Sequence, residues 1–211
     1  MKKAILFIFI LSSVIIGQNF DKQSLYFSGN FGLYKSGDNS AVRNLGSQRI
    51  GGGIGFGFRI VENLFFYSRA QYVAKSDFTG YYDNTYLETD LSLVSTIGTA
   101  NASMSQFVLN SGLQYNIFLT KDLSVGFLGG VTYTMVDQEA RSFSGVLLNR
   151  IANEWFYGYF GGATVEKRFK HSNLTVFAEG IYNYIDDQSI FFRDILSGMN
   201  FTIGGRYYLE D

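Results

Sequence analysis

The sequence predicts an all-β fold, an eight-stranded antiparallel up-and-down transmembrane β-barrel with short periplasmic turns and long extracellular loops. Three observations predict it. Runs of alternating apolar and polar residues recur along the chain, each about the 9–11 residues that a tilted strand needs to cross a bilayer. The connections between them alternate between short and long. An apolar leader precedes the runs, and a strand tipped with aromatic residues closes the chain.

The leader is Lys2 and Lys3, then an apolar run from Ala4 to Ile16, then Gly17-Gln18. A charged start and so short an apolar core read as a secretory signal peptide rather than a membrane-spanning helix. The expected organisation is a signal peptide over residues 1–18 and a barrel domain over residues 19–211.

The first strand, about Leu25–Tyr34, sets Leu25, Phe27, Phe31 and Leu33 against Tyr26, Ser28, Asn30 and Tyr34. In the second, about Arg49–Ile60, Ile50, Ile54, Phe56, Phe58 and Ile60 alternate with Arg49, Gly51, Gly53, Gly55, Gly57 and Arg59. A narrow barrel needs such glycines to make room for large side chains from neighbouring strands. Further runs follow at about Leu64–Ala74, Gln106–Ile117, Leu123–Thr134, Phe156–Glu166, Leu174–Tyr184 and Gly198–Leu209. The short connections are Val61 to Asn63, Phe118 to Asp122 and Lys167 to Asn173. The long ones are Lys35–Gln48, Lys75–Ser105, Met135–Trp155 and Ile185–Ser197, with Leu147 to Ala152 open to one short helix. That asymmetry is the one found in bacterial outer-membrane barrels, and eight strands return both termini to the periplasmic side.

Composition agrees. The chain has 24 Gly, 15 Tyr and 21 Phe with no Pro and no Cys, and only 17% of its residues are charged. Absence of Pro suits a chain spent on paired strands, and absence of Cys excludes disulfides, thiol chemistry and a lipid-anchored cysteine. Without Lys2 and Lys3, 15 basic residues face 18 acidic ones, a formal charge of about −3 that offers nothing to nucleic acid. A soluble lipocalin-type barrel would alternate equally well with its polarity reversed. Either face could point inward on periodicity alone; the leader, the loop asymmetry and the last strand favour the membrane.

That last strand puts Phe201, Ile203, Tyr207 and Leu209 on one face and Asn200, Thr202, Gly204 and Arg206 on the other. It fits polar-x-Gly-x-x-aromatic-x-apolar, with Gly204, Tyr207 and Leu209 at the key places. The pattern resembles the C-terminal signal by which outer-membrane barrels are recognised for insertion. The whole region after the leader resembles the small eight-stranded outer-membrane proteins, the group of OmpA transmembrane domains, OmpX-like proteins and the "porin family" β-barrel domain. The resemblance implies the bacterial outer membrane as location, with lipid, lipopolysaccharide and the barrel-assembly machinery as partners. It carries no catalytic signature.

Counting along the strands places inward charges at defined heights: Arg69 and Glu179 on opposite walls, Arg59, Glu166 and Arg206 near the lower end, and Arg49 near the upper. An Arg69–Glu179 contact and a cluster of Glu166 with Arg59 or Arg206 are expected, in a lumen just wide enough for side chains to fill. Tyr81, Tyr82, Phe143, Trp155, Phe191 and Phe192 are the loop residues that could contact a surface or envelope protein partner. The only histidine, His171, lies in a short polar turn without an adjacent carboxylate, so no catalytic residue, metal site or cofactor is assigned. The expected role is therefore structural or interaction-based and non-enzymatic. A narrow gated conduit for small solutes is the alternative.

Overall fold

The computed structural model describes residues 25–36, 48–61, 63–87, 93–120, 122–142, 144–169, 172–185 and 196–209. They form eight strands: β1 (Leu25–Ser36), β2 (Gln48–Val61), β3 (Leu64–Leu87), β4 (Leu93–Phe118), β5 (Leu123–Arg141), β6 (Leu147–Arg168), β7 (Leu174–Ile185) and β8 (Gly198–Leu209). Each pairs antiparallel with the next, and β8 returns to β1 from Leu25↔Leu209 to Ser36↔Gly198, closing the barrel. Closure leaves the shared part of the sheet without an edge to template aggregation.

The two-residue period becomes two surfaces. Phe27, Ile54, Leu113, Phe127, Val165 and Ile203 stand exposed on the outside, while Gln71, Asn110, Gln114, Asn183 and Thr202 are buried inside. A barrel for water would reverse that polarity, so closure settles what alternation could not. Glycine makes the narrow bore feasible: a Cβ at Gly57 would run into the ring of Tyr26 from β1.

The strands at the loop end are longer than their sequence periodicity suggests. The expected Lys75–Ser105 loop is largely β-hairpin, with β3 and β4 paired from Ser76↔Met104 to Leu87↔Leu93. The expected Met135–Trp155 loop is likewise hairpin, turning through Ser142 and Gly145, whose φ is 85°. Leu147 to Ala152, which the sequence left open to helix, is strand: Ile151 pairs with Gln138 and Arg150 with Glu139. The physical reason lies inside the barrel. Ala102, Met104, Val136, Ala140, Ile151, Phe156, Ile185 and Leu196 form one buried apolar cluster at this end, with Leu148 packed against it. Burying those side chains holds the extensions in register, where an isolated two-stranded ribbon would be marginal. A bulge opposite Asp137, with Asn153 at φ 55°, shifts the face of β6 so that both Phe156 and Ile151 are buried. The proposed signal peptide and His171 lie outside the described residues.

Candidate functional site

The lumen is organised around a four-membered chain of charges. Arg69 on β3 pairs with Glu179 on β7, and Arg206 on β8 pairs with Glu166 on β6. The two pairs are linked, because Arg206 Nη2 also lies 3.6 Å from Glu179 Oε2. All four side chains are buried. Glu166 receives two more hydrogen bonds, from Gln114 Nε2 at 2.8 Å and from the Tyr208 hydroxyl at 3.0 Å. Tyr67 donates to Glu179 at 3.3 Å, and Arg69 to Thr202 at 3.2 Å. Arg206 lies between the rings of Tyr26 and Phe177, 4.8 and 4.5 Å from their centroids. Alternating signs let each charge offset the desolvation of its neighbours, which an isolated buried pair does poorly.

Of the two arginines open to Glu166 from the sequence, the shear of the barrel brings Arg206 to it. Arg59 instead stands at the turn end with its guanidinium over the Phe65 ring, 5.4 Å from the centroid. Arg49 is at the upper end of the lumen, where it donates to Gln106 Oε1 at 2.8 Å and lies over the Tyr34 ring. The tyrosines Tyr26, Tyr67 and Tyr208 were not singled out from the sequence as members of the network. Their signal was present: Tyr67 and Tyr208 sit two residues from Arg69 and Arg206, hence on the same inward face.

The network is closed above and below. Beneath it Tyr26 packs on Tyr208 and Phe65, at 5.3 and 6.3 Å between ring centroids. Above it come Tyr34, Val73 and Val108, and then the larger apolar cluster of the loop end. Tyr34 donates to the carbonyl of Leu196, tying the base of the β7–β8 connection to β1.

On the last strand, Tyr207 and Leu209 point outward, and Gly204 lies where a Cβ would meet the Phe177 ring. Trp155 is not a loop residue: it is within β6, opposite Met135, and faces outward. The backbone places Tyr81 and Tyr82 on the β3 extension, opposite Thr99 and Gly98. Phe143, Phe191 and Phe192 lie outside the described residues. At this end Arg141 Nε donates to Glu139, holding that carboxyl below the usual carboxylate range. Among the described residues no group of three or more His, Cys, Asp or Glu is gathered to hold a metal.

No family model and no curated protein matches the chain. Solved structures do. The attachment invasion locus protein Ail of Yersinia pestis superposes with a TM-score of 0.53 at 12% identity, over 90% of this chain and 100% of that one. A major outer membrane protein of Thermus thermophilus gives 0.53 at 11% identity, over 89% and 99% of the two chains. The outer membrane protein OprG of Pseudomonas aeruginosa gives 0.50 at 14%, over 90% and 98%. At such identities the likeness is one of architecture. By its strand number, antiparallel order and closure, the chain carries the fold of the small eight-stranded outer-membrane β-barrels.

Proposed function

We propose that this chain is an integral outer-membrane protein with a structural or surface-interaction role, non-enzymatic, whose barrel is a rigid mount for the β-hairpins at its loop end. The observation that carries the reading is the inverted polarity, with an apolar outer wall around a buried network of charges and amides. The apolar cluster beneath the hairpins supports a preorganised surface, which lowers the entropy cost of binding a partner. Lipid and lipopolysaccharide surround the wall in this reading, and Gly204, Tyr207 and Leu209 serve recognition by the barrel-assembly machinery. Leu25 and Leu209 pair at the end of the three short turns, which supports periplasmic termini.

Expression with the leader intact tests the proposal. The protein should stay with the outer-membrane fraction through carbonate washing and migrate differently on SDS gels with and without boiling. A soluble product without heat-modifiability would refute it. The conduit reading is disfavoured by the filled bore: bilayers containing the purified barrel should be silent, and steady conductance would restore that alternative.

A further inference from the structure

At the turn end the bore holds a cavity of about 40 Å³, with Arg59, Ser124, Glu166 and Thr175 among its lining. It opens outward past Phe118, which stands 53% exposed on its rim, and is closed inwardly by the Tyr26, Phe65 and Tyr208 rings. Nothing in the role proposed above uses it. A buried water needs about 10–15 Å³ of such space, so about two or three waters fit and an organic ligand does not.

The polar lining suits water. Thr175 on β7 is 2% exposed, and its Oγ1 has no hydrogen-bond partner. The Nε of Arg59 on β2 is buried and likewise unpartnered, while its guanidinium lies over the Phe65 ring. Ser124 on β5 is buried beside them. Buried donors and acceptors left unpaired are costly, so such groups mark where something polar is held. One N–H and two hydroxyls, from three strands, supply the roughly two to four partners that an ordered water requires. The charges argue against an ion. Glu166 and Asp122 both line the cavity, so an anion would meet carboxylates and a cation the Arg59 guanidinium.

Water here has a defined reach. Of the four charges chained through the lumen, Glu166 lines the cavity, whereas Arg69, Glu179 and Arg206 do not. Glu166 Oε1 accepts from Arg206 and Gln114, and Oε2 from Tyr208, which leaves Oε2 able to take one more donor. Glu179 lies beyond, and its register partner on β6 is Thr164, 1% exposed.

We propose that this cavity is a hydrated port. About two or three ordered waters, held by Arg59 Nε and the Thr175 and Ser124 hydroxyls, bring turn-side solvent to the Glu166 carboxylate and stop there, leaving Glu179 dry.

The test uses the folded full chain in nanodiscs. In the unmodified protein, magnetisation transfer from water should reach the Thr175 methyl and the Ser124 methylene by NMR, and not the Thr164 methyl. The chain has no cysteine, so single introduced thiols then read the two depths. Thr175→Cys should react with methyl methanethiosulfonate at least about tenfold faster than Thr164→Cys, because thiolate forms where water reaches. Thr175→Val should weaken the water signal at Ser124, and it serves if the Thr175→Cys barrel does not fold. Equal thiol rates at the two positions, or no water contact at Thr175 and Ser124, would overturn the proposal. Shifts at these two residues that follow chloride concentration would overturn it as well, by marking an ion as the occupant.

Discussion

Replacing Arg206 by Met removes the charge that joins the two lumen pairs while keeping most of the packing volume between Tyr26 and Phe177. The consequence is unequal for the two carboxylates. Glu179 retains Arg69, whereas Glu166 loses its cation and keeps only Gln114 and Tyr208 as neutral donors. Arg206 is 1% exposed, so water does not take its place without rearrangement. Breaking a buried pair on one side costs about 3–5 kcal/mol, because the remaining charge stays desolvated. Loss of the two ring contacts adds about 0.5–1 kcal/mol each, partly recovered by the Met side chain. The control removes the orphaned charge as well. Arg206→Met with Glu166→Gln leaves an amide that Gln114 and Tyr208 still satisfy, and should lie within about 1.5 kcal/mol of wild type. Both variants are measured by urea unfolding of the refolded barrel in lipid bilayers. Trp155, the chain's single tryptophan, faces outward and reports by fluorescence, with the gel shift as second readout. A single variant that loses less than about 1 kcal/mol, or a double variant no better than the single, would refute the view that mutual neutralisation sustains this network.

Other outcomes follow from the same geometry. Ile203→Arg, on the outer wall at 65% exposure, should cost about 2–4 kcal/mol in a bilayer; on a water-facing surface the same change stays within about 0.5 kcal/mol, so unfolding titrations of the variant test the membrane reading directly. Gly57→Ala should destabilise by about 1–3 kcal/mol by displacing the Tyr26 ring. Gly29→Ala, whose Cβ would meet nothing within 4 Å, should fold and melt like wild type in the same assay. Arg141 depresses the Glu139 carboxyl, so their interaction stabilises the fold above the unfolded carboxylate value and is lost as pH falls through the lower folded value. Glu139→Gln should therefore remove a small acid-side component from the pH dependence of stability without altering the neutral limb.

The alternation of Phe27, Phe31, Leu33 and of Ile203, Tyr207, Leu209 was legible because a strand's side chains alternate over adjacent residues, a purely local rule. Strand number and the short-long rhythm of connections came from the same rule applied along the chain. Alternation is blind to what lies on the other side of the bore. Whether Arg59 or Arg206 meets Glu166 depends on the stagger of β2 and β8 against β6, which is set only when β8 pairs with β1 and the sheet closes. The hairpin extensions were hidden for a related reason. Met104, Val136, Phe156 and Leu196 are far apart in sequence, and their runs include Ser, Asn and Glu that read as loop. Only the closed barrel gathers them into one apolar cluster, whose burial extends strands that local propensity ends early. The turn end of the bore is the extreme case: Arg59, Thr175 and Tyr208 come together there from β2, β7 and β8, and no spacing in the sequence connects them. Local periodicity thus determined which side chains face in and which face out, while long-range closure decided which of them meet.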